Sequence, residues 1–250
     1  SSANRMAPGR MAGCLVLMAC LAITGCSRTA AENETVMLLH GLGRTPLSML
    51  VLRHRLEKAG YRVVLHGYAS TQGRVEDHVA CLAEALDTME PAAAGTIHFV
   101  THSLGGIVVR KYLAGNRMPN LGRVVMLAPP NRGSEVADYL KDWPLYRLAM
   151  GPSGQELGTD AGSTANRLEP VDFELGVIAG DASLNRLMSR LIPGADDGKV
   201  AVQRTKVAGM RDFRVVHHSH AFIMNAAVVA EDVISFLKTG SFRQADTTCN

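Results

Sequence analysis

Four short stretches carry side chains able to do covalent chemistry, and their order along the chain is as informative as their content. The first is His40-Gly41-Leu42-Gly43, directly after the apolar run TVMLL (35–39). The second is Thr101-His102-Ser103-Leu104-Gly105-Gly106, set between one apolar segment and the next. The third is acidic: Asp181 follows GVIAG, and Asp196-Asp197 opens the run DDGKV. The last is His217-His218-Ser219-His220, after FRVV. A serine hydroxyl is a weak nucleophile until an adjacent base takes its proton, and the base works best when a carboxylate orients it. Serine, acid and histidine are all present, in that order.

Ser103 has two readings. It is a serine that happens to sit in a turn, or it is held on a sharp strand-to-helix bend that presents its hydroxyl. The second reading requires glycines around the bend, in the pattern Gly-x-Ser-x-Gly. Gly105 and Gly106 meet it on one side, whereas Thr101 replaces glycine on the other, and its β-branched bulk must be accommodated. Acyl chemistry also needs preorganised donors for a developing oxyanion, usually two backbone N–H groups. Leu104, directly after the serine, is placed to supply one, and Leu42 in HGLG the other. On its own HGLG is a glycine-rich turn; together with the serine bend some sixty residues on, it becomes half of an anion cradle. His217, His218 and His220 are all candidates for the base. Asp181, Asp196 and Asp197 are all candidates for the acid, although Asp181 before ASLNRLM also suits a helix N-cap.

These residues need a scaffold that brings strand ends together. From residue 35 the chain alternates: a strand at 35–39, a helix from about Leu47 to Ala59, a strand at 61–67, and a helix at 75–90 stopped by Pro91. A strand at 96–101, a helix at 104–114 and a strand at 122–128 follow. Near-continuous apolar strands between amphipathic helices predict an α/β fold, with a mostly parallel central sheet covered by helices on both faces. Ligands in such sheets collect beyond the carboxyl ends of the strands, and His40, Ser103 and PPNRGS (129–134) all follow strand ends. The pattern loosens from about 131 to 170, around WPLYRLAM, which reads as a lid-like insertion over the sheet rim. Regular elements resume at FELGVIAG (173–180), VAVQRTKV (200–207) and FRVV (213–216), with a closing helix from about Ala221 to Lys238.

LLHGLG, THSLGG and APPNRGSEVADYL together resemble the bacterial triacylglycerol lipases and related esterases of the α/β-hydrolase superfamily. The resemblance runs from about Thr35 to the C-terminus and is thinnest in the insertion. It implies Ser103 as nucleophile and Leu42 and Leu104 as the oxyanion hole, with His40 and His102 shaping the loops. It places the base late and selects His220, in Ser219-His220-Ala221. It selects Asp197 as the acid, from a family Asp-Gly-x-Val loop ahead of a strand. The implied activity is hydrolysis of acyl esters through an acyl-enzyme. Acyl transfer or thioester cleavage by the same triad is the alternative, as is an acyl- or partner-binding protein without turnover, which Thr101 alone suggests. Larger members hold calcium through an aspartate two residues past the histidine; Phe222 stands there, so no metal is expected. The short insertion implies modest or soluble acyl esters.

Residues 1–25 are expected to lie outside the fold. Arg5 and Arg10 precede the uncharged stretch MAGCLVLMACLAITGC, the charged and apolar regions of a secretory signal. Ile23-Thr24-Gly25-Cys26 resembles a lipobox, which implies diacylation of Cys26 and a polar tether over 26–34. Ser27 is not the aspartate that retains lipoproteins at the inner membrane, so an outer-membrane anchor facing the periplasm is expected. The domain then spans 35–250, with a lipid or acyl-ester substrate as its partner besides the membrane. The net charge of +3 falls to about +1 without Arg5 and Arg10, which is no footprint for nucleic acid. Cys81 falls in a helical pattern as a buried thiol, and its spacing from Cys249 gives no support to a disulfide. No CxxC, HExxH, dinucleotide or phosphate-loop pattern occurs, and no cofactor is expected.

Overall fold

A computed structural model describes residues 34–89 and 95–244; the leader, Cys26, most of the tether and Cys249 lie outside them. Six strands form one sheet: β1 (Glu34–Leu39), β2 (Arg62–His66), β3 (Thr96–His102), β4 (Leu121–Leu127), β5 (Leu175–Gly180) and β6 (Asp212–Val216). Every pairing is parallel, in the order β2-β1-β3-β4-β5-β6. The chain therefore winds one way from β1 to β2, returns past β1 to β3, and continues to β6. That reversal between β1 and β3 is where a crevice opens at the carboxyl edge.

Successive side chains on a strand point to opposite faces, so a strand covered on both sides must be apolar throughout. Val36 and Leu38 of β1 join one core with Val125 and Leu127 of β4. That core packs under α1 (Leu50–Lys58) and α8 (Ala227–Thr239), through Leu52, Leu56, Val233 and Phe236. Met37 and Leu39 face the other core with Phe99 and Met126. There α2 (Val75–Asp87) and α3 (Leu104–Gly115) cover the sheet through Val75, Leu82, Ile107 and Val108. Cys81, on α2, is half-buried and free rather than fully enclosed.

Three boundaries differ from the sequence pattern. The first helix begins with a single 3₁₀ turn at Pro46–Met49 before turning α-helical. VAVQRTKV adds no strand: Val202–Thr205 forms a one-turn helix, α7, with Val202 and Thr205 buried and Thr205 Oγ1 donating to the Val202 carbonyl (2.7 Å). The closing helix starts at Ala227, not Ala221. The preceding residues make tight turns back to the Ser219 carbonyl, which accepts from the N–H of Phe222 and of Ile223.

The insertion is largely helical. It contains α4 (Glu135–Leu140) and α5 (Pro144–Gln155), the latter broken at Gly151. Arg110, buried in α3, donates to the Asn131 carbonyl (3.1 Å) and side chain (3.0 Å) at the start of the insertion, and to the Leu168 and Glu169 carbonyls at its end. One guanidinium thereby gathers both ends of the insertion onto the sheet layer.

Candidate active site

Ser103 occupies the single-residue step from β3 to α3, with φ 52° and ψ −120°. Such a conformation costs a residue with a Cβ roughly 1–3 kcal/mol and persists only where the surroundings enforce it. Here the Ser103 N–H donates to the Leu127 carbonyl (2.9 Å), and its own carbonyl accepts from Gly106 (3.0 Å). The glycines make the bend possible. A Cβ on Gly105 would approach the Leu39 and His40 carbonyl oxygens to 2.9 Å. Gly106 answers the question raised by Thr101: a Cβ there would come within 3.3 Å of Thr101 Oγ1. The bulk that replaces the first glycine of the pattern abuts a position without a side chain in the first turn of α3, which also borders Met126 and Pro129.

The structure brings together Ser103, His220 and Asp197. Ser103 Oγ donates to His220 Nε2 (3.0 Å), and His220 Nδ1 donates to Asp197 Oδ2 (2.8 Å). These tautomers follow from the partners on each side. Asp197 Oδ1 accepts from the amides of Lys199 (3.0 Å) and Val200 (2.9 Å). The His220 N–H donates to the Asp197 carbonyl (2.9 Å), locking the two loops in register. All three side chains are buried.

The alternatives go elsewhere. Asp196 Oδ1 accepts from Ser189 Oγ (2.8 Å) and the Gly198 N–H (2.7 Å), bracing the turn that carries Asp197. Asp181 does not cap a helix; Asn185 caps α6 (Arg186–Ser189) instead. Asp181 accepts from His217 Nδ1 (2.9 Å), and that imidazole is 86% exposed. Its acid–histidine pair faces solvent and does not reach the serine. His218 is half-buried, and its carbonyl occupies the space a side chain at Gly180 would need.

His102 and His40 frame the bend. His102 Nε2 donates to the His220 carbonyl (2.9 Å), and the two rings stand 4.9 Å apart. Burial, foremost, together with His220 and Arg44, holds the His102 imidazole well below the usual histidine range, so it stays neutral. Gly41 is required by this ring: a Cβ there would lie 2.8 Å from His102 Nδ1. His40 is buried and its ring Nδ1 donates to the Gly41 carbonyl (3.0 Å). Tyr68, which follows β2 by two residues, stacks on His40 at 4.4 Å and donates its hydroxyl to the His40 carbonyl (2.6 Å). The sequence reading passed over Tyr68, although its position just past a strand end was a signal to include it.

The N–H of Leu104, first in α3, has no intrahelical acceptor, and among the described residues neither it nor the Leu42 N–H is paired with a protein acceptor. Ser103 lies in a cavity of about 200 Å³. Its wall is mostly apolar, with Leu42, Val136, Leu140, Met150 and Leu157 from the first loop and the insertion. Arg44 and Lys199, neither singled out by the sequence reading, also line it. No group of three or more metal-ligating side chains occurs among the described residues.

The parallel sheet, its strand order and the serine at the end of its third strand define an α/β-hydrolase fold. No protein-family model matches the chain. Among solved structures it is similar to the lipase BlEst2 of Bacillus licheniformis in mature form, 17% identical over 83% of this chain and 92% of that one, with a TM-score of 0.70. It is similar also to the phospholipase PlaB of Legionella pneumophila, 17% identical over 83% of this chain and 60% of that one, TM-score 0.63. A metagenomic carboxyl esterase is 18% identical over 86% of this chain and 72% of its own, TM-score 0.59. At such identities the likeness establishes common architecture.

Proposed function

We propose that the protein is a serine hydrolase of carboxylic esters. Ser103 Oγ bonds to the acyl carbon as its proton passes to His220 Nε2. The tetrahedral oxyanion is held by the Leu42 and Leu104 amides. Its collapse breaks the bond to the alcohol oxygen, which takes the proton from Nε2. Water then gives a proton to Nε2 and adds to the acyl-enzyme; the second collapse returns the proton to Ser103 and frees the acid. Asp197 keeps Nδ1 protonated and stabilises the imidazolium in both halves. The observation that carries this reading is the relay of 3.0 and 2.8 Å from a strained serine to a buried carboxylate. A cavity of about 200 Å³ is small beside the roughly 300–1,000 Å³ of drug-sized sites, which favours short acyl groups.

The test is a fluorophosphonate label followed by peptide mapping, beside hydrolysis of p-nitrophenyl esters of increasing chain length. Label confined to Ser103 is expected. Ser103→Ala and His220→Ala should each lower kcat by about 10³-fold or more. Label elsewhere, or turnover that survives Ser103→Ala, would defeat the proposal.

For the address of the protein we propose lipidation at Cys26 and an outer-membrane anchor facing the periplasm, supported by Ile23-Thr24-Gly25-Cys26 behind an uncharged stretch. Labelled palmitate should enter the protein and be lost in Cys26→Ser; equal incorporation in the variant would refute the assignment.

A further inference from the structure

Arg44 and Lys199 come from loops far apart in sequence and converge on the cavity that holds Ser103. Arg44 follows HGLG and is pinned by a bond from Nη2 to the Ala221 carbonyl (3.0 Å), directly after the base. Lys199 lies two residues past the acid. Among the described residues neither cation is in an ion pair. The adjacent carboxylate, Asp197, is already engaged by His220 and two backbone amides. Like charges that share one cavity repel, and an anion bound between them relieves that repulsion. Their mutual effect is visible at Lys199, whose ammonium is pushed below the usual lysine range by desolvation first and by Arg44 second, against the opposing pull of Asp197.

Arg44 is tied to the Ala221 carbonyl next to His220, and Lys199 follows Asp197 on the loop that carries the acid, so both cations reach the cavity from the loops that hold the base and its carboxylate. The imidazole of that base returns its proton to the departing alcohol, so an anion held there belongs to the leaving group and not to the acyl chain. A guanidinium fork beside an ammonium suits phosphate, with paired N–H donors from one and a point charge from the other. We infer that the preferred substrates are short acyl esters whose alcohol part carries a phosphate, bound by Arg44 and Lys199. This rests on the ester-hydrolase reading and supplies its substrate class.

A matched pair tests it: 1-butanoylglycerol and 1-butanoylglycerol 3-phosphate, with the ratio of their kcat/KM values as readout, which a general loss of activity does not move. The parent should favour the phosphate by about tenfold or more, the scale of one charge-assisted hydrogen bond. Arg44→Gln and Lys199→Gln should each reduce the ratio severalfold, chiefly through KM, and the double variant should bring it near one. A parent ratio at or below one, with the neutral ester still cleaved, overturns the phosphate inference and leaves ester hydrolysis standing. If neither ester is cleaved, the ester-hydrolase reading falls, and calorimetry with the non-hydrolysable 1-butylglycerol 3-phosphate ether decides the rest. Binding by the parent that is lost in the double variant supports the phosphate site; equal binding by both, or binding by neither, overturns it.

Discussion

Asp197 and Asp181 each accept a hydrogen bond from a histidine Nδ1, at 2.8 and 2.9 Å, yet only one pair points at a serine. The difference is environment. Asp197 is buried, with its other oxygen on two amides, so the imidazole has one orientation. Asp181 meets an imidazole that is 86% exposed, and a solvent-facing pair of that kind is worth about 1 kcal/mol at most. Asp197→Asn should therefore lower kcat by about 10³–10⁴-fold with little change in KM, since it favours the wrong tautomer of His220. Asp181→Asn should change kcat by less than about twofold. Steady-state kinetics on one ester reads both, and comparable losses in the two variants would remove the assignment of roles.

At the scale of elements, the insertion shapes the cavity while contributing none of Ser103, His220 and Asp197. Its helix α5 bends at Gly151, with φ 61° and ψ −165°, a region open essentially to glycine alone. A Cβ there would sit 1.8 Å from the Thr71 carbonyl oxygen, so the bend is also a close backbone contact with the loop before α2. Ser153, two residues on, fixes the same contact: its N–H (3.1 Å) and its hydroxyl (3.0 Å) both donate to the Gly73 carbonyl. Gly151→Ala is expected to cost about 2 kcal/mol or more, read as a lowered urea midpoint, and to raise KM for longer acyl esters. An unchanged midpoint would mean that this contact is not maintained in solution.

Across the whole molecule, histidine burial is the common electrostatic theme. His40, His66, His78, His98 and His102 are all held below the usual histidine range, burial being the first cause in each. His66 is pushed down to about 4. A histidine whose pKa is lower when folded binds its proton more readily in the unfolded chain. The associated stability is therefore complete above about pH 6.5 and is lost as pH falls toward the folded value. Each such group can contribute a slope of up to about 1.4 kcal/mol per pH unit in that window. Thermal midpoints should fall steadily from pH 7 to pH 4.5. His66→Phe, which keeps the ring beside Tyr68, should flatten the fall; an identical pH profile would show that His66 does not carry it.

The sequence by itself determined the sheet and the position of the serine. Strands covered on both faces must be apolar throughout, and the sharp bend at Ser103 needs glycines beside it, so both leave local marks. Residue types and spacing alone left His217, His218 and His220 open, and only the family resemblance selected His220. Three histidines within four residues differ only in the direction the chain takes after β6, and tight turns around Ser219 set that direction. The same resemblance selected Asp197, which residue types alone did not separate from Asp196 and Asp181, because each acid is given its partner by a loop packed from elsewhere. The one-turn helix at Val202–Thr205 and the late start of α8 escaped for a related reason: an apolar run of a few residues carries too little periodicity to distinguish strand from helix. Tertiary structure alone placed Tyr68 against His40 and set Arg44 and Lys199 in one cavity. Their proximity joins strand ends far apart along the chain, and no local pattern encodes it.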